Sequence, residues 1–405
     1  MHSNNPIKTS HLLTPSTPYY LLDEAAIITN MQIIARLCEL SGAKALLALK
    51  CFATWGVFDV MTPFLHGTTS SSLNEVRLGY ETFGNNSEES RDGKKETHAY
   101  SVAYSADEID EVLNYADKII FNSIPQLHAF KDKAHTKNIP VGLRLNPKTS
   151  NSSFIIADPA RPFSRLGEHD KDKIKAVLSD ITGVMIHNNC ENDSFEAFSE
   201  SLADIEDRFG DILAQLEWVS LGGGIHFIAP DYPLEKLADR LKGFSEKYGV
   251  QVYLEPGEAS IHGAGTLVTT VLDTMHNDKN LAVVDASIEA HMLDLLIYRE
   301  SAPITSVNAE SVEVMPVEQV QQDAADNTII YGRSCLAGDI FGEYQLAKPL
   351  KIGDTISFGN AAGYTMVKKN WFNGVNMPAI VIRRLDGSID VQREFDYQDY
   401  KASLS

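Results

Sequence analysis

Lys50 is the residue whose type and position point most directly to chemistry. It ends the apolar segment Lys44-Ala-Leu-Leu-Ala-Leu-Lys50, and such a run predicts a strand that is buried on both faces. A lysine that is partly desolvated loses proton affinity and becomes an amine nucleophile. The alternative is an ordinary lysine that extends from a strand end into solvent. This segment alone favours the ordinary lysine, so the interpretation depends on the other motifs.

Two further motifs could bind a planar, phosphorylated ligand. Val184-Met-Ile-His187 predicts an imidazole at a strand end, where it could stack on a flat ring or simply be structural. Leu221-Gly222-Gly223-Gly224-Ile225 predicts a strand-to-helix turn whose bare backbone amides could bind phosphate. This triple glycine is not the GxGxxG pattern of dinucleotide sites. Glycines of this kind also occur in tight turns that bind nothing.

Three loops add carboxylates, a thiol and a phenol. Glu255-Pro-Gly-Glu258 closes a predicted strand with two carboxylates around a rigid turn. The glycine-rich segment 332–339 carries Cys335 and Asp339, and the segment 359–365 carries Tyr364. Together with Lys50 these motifs supply an amine, a stacking ring, a phosphate-binding turn and an acid for a ring nitrogen. Pyridoxal phosphate requires that set of groups.

Alternating strands and helices must position the first of these motifs. The predicted elements are helix 23–41, the Lys50 strand, helix 110–117, strand 118–121, helix 124–137, strand 140–145, strand 181–187, helix 194–209, strand 216–221, helix 234–248 and strand 250–255. Repeated βα units of this length predict the α/β fold class, with a (β/α)8 TIM-like barrel. Active sites of such barrels form at the carboxyl ends of the strands. We therefore expect residues 25–263 to form a cofactor-binding barrel.

The pattern changes after about residue 264. Short alternating strands are predicted at 265–273, 280–284, 328–331, 355–358 and 378–382, and they indicate a β domain. The strand-like segment Thr17–Leu22 should pair with a segment distant in sequence, so residues 1–24 are predicted to join 264–405 in this domain. The polar stretch 306–327 is interpreted as a long surface excursion. The charged loop 85–95 suggests no chemistry.

Composition excludes several classes of function. A formal charge of −20 over 405 residues argues against nucleic acid, whose phosphates need clustered Lys and Arg. An acidic surface favours a cationic, polyamine-like ligand, although it also serves solubility. No apolar segment reaches membrane-spanning length and residues 1–8 lack a signal-peptide pattern, so we expect a cytoplasmic protein with no membrane partner. The four cysteines form no paired spacing, which indicates reduced thiols and no metal site.

The order of these motifs resembles that of the barrel-type pyridoxal-phosphate decarboxylases, the family that includes ornithine, arginine and diaminopimelate decarboxylases. The resemblance covers nearly the whole chain and implies pyridoxal 5'-phosphate as cofactor. It implies that Lys50 bonds the cofactor, His187 stacks on its ring, Gly222, Gly223, Gly224 and Tyr364 hold the phosphate, Glu255 binds the ring nitrogen and Arg144 lies nearby. It also implies a homodimer with shared active sites, to which Cys335 comes from the neighbouring subunit.

Departures from the wider family bear on the substrate. Four segments, 49–51, 187–191, 255–259 and 335–339, are similar to the carboxynorspermidine decarboxylases. Glu258 stands where diaminopimelate-type enzymes carry arginine, and this charge reversal would attract a distal amine. Leu336 replaces an aspartate of the ornithine-type enzymes, whereas Asp294 falls where those enzymes place a substrate-binding aspartate. Asp339 could extend an acidic wall or cap its own turn. Cys190, where relatives use serine, leaves one phosphate contact open.

The implied reaction is decarboxylation of carboxynorspermidine to norspermidine, and of carboxyspermidine to spermidine. A carboxylate beside the ring nitrogen keeps that nitrogen protonated, so the ring can absorb the electrons released with CO₂. Related racemases set arginine at this place, and Glu255 therefore favours decarboxylation. Cys335 is a candidate to return a proton to the α-carbon, unless it is a thiol that merely fills its loop. The alternatives are a decarboxylase of ornithine or diaminopimelate and a catalytically silent regulatory homologue.

Overall fold

The computed structural model describes residues 15–83, 94–152, 154–317 and 326–405. Residues 1–8 and nearly all of the 85–95 loop, for which expectations are given above, lie outside these ranges. The helices are α1 (Glu24–Ser41), α2 (Phe58–Met61), α3 (Leu73–Thr82), α4 (Ile109–Tyr115), α5 (Ile124–Thr136), α6 (Lys171–Ala176), α7 (Phe195–Leu213), α8 (Leu234–Tyr248), α9 (Glu258–Ile261), α10 (Ile288–His291), α11 (Leu293–Tyr298) and α12 (Tyr397–Ala402). The strands are β1 (Tyr19–Asp23), β2 (Lys44–Ala48), β3 (Gly67–Ser70), β4 (Glu96–Ser101), β5 (Lys118–Phe121), β6 (Val141–Arg144), β7 (Asn151–Ser152), β8 (Gly183–Met185), β9 (Asn189–Cys190), β10 (Trp218–Ser220), β11 (Gln251–Leu254), β12 (Gly265–Asn277), β13 (Lys279–Val284), β14 (Ile304–Val307), β15 (Glu310–Val314), β16 (Thr328–Tyr331), β17 (Ile340–Tyr344), β18 (Thr355–Phe358), β19 (Ala379–Arg383) and β20 (Ile389–Arg393).

The chain divides into two compact units. One comprises residues 26–264 and 362–367, and the other comprises the described residues up to Ala25 together with 265–361 and 368–405. The sequence-based boundaries lie within one residue of these, except that the segment 362–367 was assigned to the β domain. This short segment belongs instead with the barrel, where the Tyr364 backbone N–H donates to the Cys51 carbonyl at 2.9 Å.

The first unit contains a closed barrel of parallel strands in the order β10-β11-β2-β3-β4-β5-β6-β8. The predicted (β/α)8 barrel is therefore confirmed. Leu46 and Leu47 of β2 both have no exposed surface, as expected for a strand covered on both faces. Large side chains fill the barrel interior, among them Leu46, Tyr100, Ile120, Met185, Trp218 and Tyr253.

Glycines make room for the largest of these side chains. A Cβ atom at Gly142 would lie 2.5 Å from the Trp218 ring, and one at Gly183 would lie 2.1 Å from it. Two neighbouring strands therefore lack side chains where the indole packs. The amphipathic helices cover the outside: α7 buries Phe198, Leu202, Ile205 and Phe209 at helical spacing.

A polar cluster lies near the amino ends of the strands. The Glu96 carboxylate accepts hydrogen bonds from Lys44, Lys118 and Tyr253 and lies beside the His98 ring. Burial raises the pKa of Glu96, but the hydrogen bonds from His98, Lys118 and Lys44 outweigh this effect and hold the pKa well below its ordinary value. This end of the barrel is thereby occupied by structural ion pairs.

The second unit is a ten-stranded sheet whose main path runs β15-β14-β18-β12-β1-β19-β20. Strand β1 pairs antiparallel with β12 and parallel with β19, which confirms the expected long-range pairing of Thr17–Leu22. The rings of Phe341 and Phe358 stack with their centroids 4.4 Å apart. The predicted fold class, a barrel plus a β domain, is thus observed.

Part of the polar stretch 306–327, interpreted above as a surface excursion, forms a regular hairpin, and its strand β15 is mostly exposed. Strands β14 and β15 pair antiparallel around Asn308 and Ala309, whose φ angles are 51° and 62°. Two positive φ angles fit a two-residue hairpin turn, but the usual sequence signal for such a turn is Asn-Gly. Residues 318–325 lie outside the described part of the chain.

Within the described ranges, no helix combines the length and apolar character required to cross a membrane.

Candidate active site

The cavity at the carboxyl ends of the barrel strands brings Lys50, Arg144, His187 and Glu255 together. Lys50 lies two residues beyond the end of β2, in a turn and not in the strand as predicted. Its Nζ lies 3.4 Å from His187 Nε2. The cavity is lined by Lys50, Thr69, Ser70, Ser71, Tyr100, Arg144, Met185, His187 and Glu255. Barrel geometry therefore assembles side chains that are far apart in sequence.

Burial, together with the neighbouring charges of the cavity, lowers the pKa values of Lys50 and His187. Desolvation lowers the pKa of Lys50, the Glu255 carboxylate opposes this change, and the Arg144 guanidinium reinforces it. Burial lowers the pKa of His187 well below its ordinary value, and the charges of Lys50 and Arg144 lower it further. The imidazole is therefore uncharged at neutral pH. An uncharged ring beside an amine of reduced proton affinity suits both stacking and nucleophilic chemistry.

Glu255 follows β11 directly, and its side chain is buried. The Ser220 hydroxyl donates to Glu255 Oε1 at 2.6 Å. Among the described residues, none donates a hydrogen bond to the other oxygen, Oε2. A buried carboxylate with one oxygen bonded and one left over can accept a hydrogen bond from a protonated ring nitrogen.

The glycine turn packs against both the histidine and the acid. Gly222 and Gly224 have φ angles of 68° and 85°, which glycine adopts without a steric penalty. A Cβ at Gly222 would lie 2.6 Å from His187 Nδ1, and one at Gly223 would lie 2.2 Å from the Glu255 carbonyl oxygen. The prediction of a strand-to-helix turn was wrong in one respect, because helix α8 begins only at Leu234. Any anion here would be bound by backbone amides without a helix N-terminus.

Arg144 is fixed by an aromatic partner. Its Nη1 donates to the Tyr100 hydroxyl at 2.7 Å, and its guanidinium carbon lies 5.2 Å from the centre of the Tyr100 ring. The Tyr100 hydroxyl donates to Asn122 Oδ1 at 3.0 Å. Within the described part of the chain, Arg144 Nε is buried without a hydrogen-bond partner. The Nε–H of the Arg144 guanidinium is therefore available to donate a hydrogen bond to a ligand.

Tyr364 and Cys190 lie beside these groups in the barrel unit. Tyr364 has a φ of 50°, and its backbone bond to Cys51 places it next to the turn that carries Lys50. Cys190 ends β9, and a Cβ at Gly224 would come within 3.0 Å of its Cα. Tyr364 therefore contacts the Lys50 turn through its backbone, and the Cys190 backbone lies against the glycine turn.

Glu258 begins α9, one turn beyond Glu255. Its Oε2 lies 3.7 Å from Cys51 Sγ, which can donate to it, and a Cβ at Gly363 would lie 2.5 Å from the same oxygen. Burial and the nearby Glu258 raise the pKa of the Cys51 thiol well above its ordinary value. Glu258 thus lies against the residue that follows Lys50.

The other three candidate residues belong to the β-domain unit. Cys335 is exposed, and its backbone N–H donates to Asn373 Oδ1 at 2.6 Å. The Asp294 carboxylate forms an ion pair with Lys368; burial raises its pKa and the lysine opposes that change.

Among the candidate residues, Asp339 is the one whose carboxylate is bonded to backbone amides through both oxygens. It is buried, with Oδ1 accepting from the Ile288 N–H at 2.7 Å and Oδ2 accepting from the Ser334 N–H at 3.0 Å. Both carboxylate oxygens therefore satisfy backbone donors. This geometry favours the alternative in which Asp339 caps its own turn.

The sequence motifs missed several residues of the cavity. Thr69 and Ser70 end β3, Ser71 follows it, and Tyr100 lies near the end of β4; neither strand was recognised in the sequence. Ser220 was also missed, although a signal was present. Trp218 points into the barrel, so the two-residue period of a strand places Ser220 on the same inner face, directly before the glycine turn.

The described residues of the cavity fit pyridoxal phosphate. Lys50 offers an amine of lowered proton affinity, Glu255 an oxygen without a donor, and Arg144 an unpaired Nε. The glycine turn offers backbone amides where a side chain would not fit. In the described ranges, no group of three or more His, Cys, Asp or Glu side chains could hold a metal ion.

Comparisons with known proteins agree with this chemistry. Residues 20–362 match the family model described as pyridoxal-dependent decarboxylase, C-terminal sheet domain. The chain is 56% identical, over 96% of its length and 100% of the relative's, to a carboxynorspermidine/carboxyspermidine decarboxylase of Herminiimonas arsenicoxydans. It is 38% identical to one of Campylobacter jejuni, over 95% and 97% of the two chains.

A solved structure shares the whole fold. The crystal structure of carboxynorspermidine decarboxylase from Campylobacter jejuni, complexed with norspermidine, superposes with a TM-score of 0.83 at 36% identity, covering 96% of this chain and 100% of that one. Since the family model matches most of the chain and these relatives match nearly all of it, the chain belongs to the pyridoxal-dependent decarboxylase family.

Proposed function

We propose that the protein catalyses the pyridoxal-phosphate-dependent decarboxylation of carboxynorspermidine to norspermidine, and of carboxyspermidine to spermidine, in polyamine biosynthesis. The observation that carries this proposal is the meeting of Lys50, His187 and Glu255 in one cavity. The substrate is supported by the 56% identity to a carboxynorspermidine/carboxyspermidine decarboxylase along nearly the entire chain.

The cofactor, when bound, supplies an electron-poor ring that takes up the electrons left behind as CO₂ departs. Lys50 would bind its aldehyde through an amine whose lowered pKa favours the nucleophilic form. Glu255 would accept a hydrogen bond from the ring nitrogen and keep that nitrogen protonated. The flat face of His187 would support the ring, and the glycine turn with Tyr364 would hold the phosphate.

The protein further acts as a homodimer in which Cys335 serves the active site of the partner subunit. The exposure of this thiol in the single chain supports an assignment in which the side chain becomes covered on assembly. Its role there is to return a proton to the α-carbon after CO₂ has left, a general-acid contribution of about 10²–10⁴-fold in rate. Assembly in this form makes each site depend on both chains.

Carboxylates hold the distal amines of the substrate. Glu258 lies against Cys51, next to the lysine that binds the cofactor, and places a negative charge near the reacting end of the barrel. Asp294 is the second anchor, and a substrate ammonium would there replace Lys368 as its partner. The net charge of −20 raises the local concentration of such cations.

A substrate panel tests this proposal. The purified holoenzyme should release CO₂ from carboxynorspermidine and carboxyspermidine, with ornithine and diaminopimelate much poorer. Glu258→Arg should lower kcat/KM for the two carboxytriamines by about tenfold to a hundredfold, because the positive charge of arginine would repel the distal ammonium group of the substrate. Glu39→Arg, which makes the same charge change at a site 69% exposed on α1, is the control. Preferred turnover of ornithine or diaminopimelate would overturn the substrate assignment.

A further inference from the structure

We propose that Ser220 is a positioning residue that orients Glu255 toward the cofactor and ties this acid to the phosphate-binding turn. Ser220 ends β10 and has no exposed surface. Its hydroxyl donates to Glu255 Oε1 at 2.6 Å. A buried hydroxyl destabilises the fold unless it is hydrogen-bonded. This hydroxyl donates its single proton to the Glu255 carboxylate.

The direction of this hydrogen bond follows from the other partner of Ser220. The Gly222 backbone N–H lies 3.3 Å from Ser220 Oγ, and a backbone N–H can only donate. The hydroxyl oxygen therefore accepts from Gly222 and its proton is directed to Glu255. The Glu255 N–H donates in turn to the Gly222 carbonyl at 2.8 Å, so serine, acid and turn form a closed cycle.

Orientation of the carboxylate is the consequence. The terminal torsion of a glutamate is broad and roughly two-fold, so it does not fix the carboxylate plane by itself. The bond from Ser220 holds Oε1 inside the barrel wall and leaves Oε2 without a donor among the described residues. One hydroxyl thus orients the acid for the ring nitrogen and, by accepting from the Gly222 N–H, holds the first residue of the glycine turn in place.

This inference rests on the proposed function, since it assigns Ser220 a task toward the same cofactor. Cofactor affinity tests it without relying on turnover. Apoprotein is titrated with pyridoxal 5'-phosphate and the dissociation constant is read from the absorbance change. Ser220→Ala should raise this constant about tenfold or more, because a hydrogen bond to a charged group is lost at a buried site.

Ser260→Ala is the matched control. Ser260 is equally buried, follows the same Glu-Pro-Gly turn, and donates to the Pro256 carbonyl at 3.2 Å. Its loss removes a buried hydroxyl without touching the carboxylate, so the dissociation constant should stay within about threefold of the wild type. Ser220→Cys keeps the size of the side chain with a weaker donor and should fall between wild type and Ser220→Ala, which preserves the test if the alanine variant does not fold.

A double-mutant cycle separates positioning from general packing. If Ser220 acts through Glu255, Ser220→Ala should add less than about threefold to the dissociation constant in a Glu255→Ala background. An undiminished effect in that background, or equal affinities for Ser220→Ala and Ser260→Ala, would refute the inference. A wild-type protein that binds the cofactor but decarboxylates neither carboxynorspermidine nor carboxyspermidine would refute only the proposed function. The role of Ser220 would still be tested by the comparison of cofactor affinities.

Discussion

At the scale of single residues, the site depends on how one carboxylate offsets two cations. Lys50 and Arg144 line the same cavity, and each disfavours a second positive charge there. Glu255 acts in the opposite direction on Lys50. Burial nevertheless dominates, so the amine loses its proton more easily than a lysine in water. This balance has a measurable consequence before any substrate is bound.

The rate at which apoprotein captures pyridoxal 5'-phosphate should rise with pH as Lys50 becomes neutral, and should level off below pH 10.5, the ordinary lysine value. Glu255→Gln removes a charge that raises the pKa of Lys50, so the midpoint should move to lower pH. Stopped-flow absorbance measures both profiles. A midpoint that stays in place or moves upward in Glu255→Gln would contradict this account of the charges.

At the scale of elements, the sequence predicted the position of the active site more accurately than the conformation and hydrogen bonds of the loops around it. Residues at strand ends of a parallel barrel must converge, so Lys50, His187 and Glu255 could be assigned to one site from their positions alone. Tyr100 could not, because its role depends on a hydrogen bond from Arg144, which is distant in sequence. The strand period could place Ser220 on the inner face, but its hydrogen bond to Glu255 could not be predicted. The ion pair between Asp294 and Lys368 was missed for the same reason.

The glycine turn is the element most sensitive to substitution. Gly224→Ala would place a Cβ 2.1 Å from the Asn189 carbonyl oxygen at a φ of 85°. The backbone must move, so we expect a loss of about 1–3 kcal/mol in the free energy of unfolding together with weaker cofactor binding. Urea unfolding of the apoprotein and cofactor titration measure the two effects.

Gly243→Ala provides the control for this prediction. Gly243 lies inside α8 with nothing within 4 Å of an added Cβ. Alanine should therefore stabilise the protein by up to about 1 kcal/mol through its higher helix propensity. Equal unfolding midpoints for the two variants would show that the turn at Gly224 tolerates a side chain and would contradict the packing described here.

At the scale of the whole molecule, the two units could be predicted from the change in hydrophobic pattern, because barrel and sheet have different periods. The assignment of residues 362–367 to the barrel unit could not be predicted, because a loop without secondary structure has no hydrophobic period. The hairpin of β14 and β15 was not predicted either. Ala309 occupies a turn position with a φ of 62°, where glycine is usual, so the sequence lacks the common hairpin signal.

The proposed dimer predicts complementation between two inactive chains. Lys50→Ala and Cys335→Ala homodimers should each be nearly inactive. If Cys335 serves the partner's site, mixed dimers carry one site with both residues intact, and an equal mixture that exchanges subunits should recover about a quarter of wild-type activity. Decarboxylation assays after refolding the mixture measure this recovery. A mixture that stays as inactive as its components would place Cys335 outside the shared site.

The central claim is that the amine of Lys50 makes the protein a decarboxylase. Its most direct test is to incubate wild type and Lys50→Ala with pyridoxal 5'-phosphate and carboxynorspermidine, and to follow norspermidine by mass spectrometry and the lysine–cofactor bond by absorbance. The wild type should form norspermidine and show the absorbance of that bond. The variant should lose the absorbance and nearly all turnover. Full activity in Lys50→Ala, or a wild type that forms no norspermidine, would contradict the account.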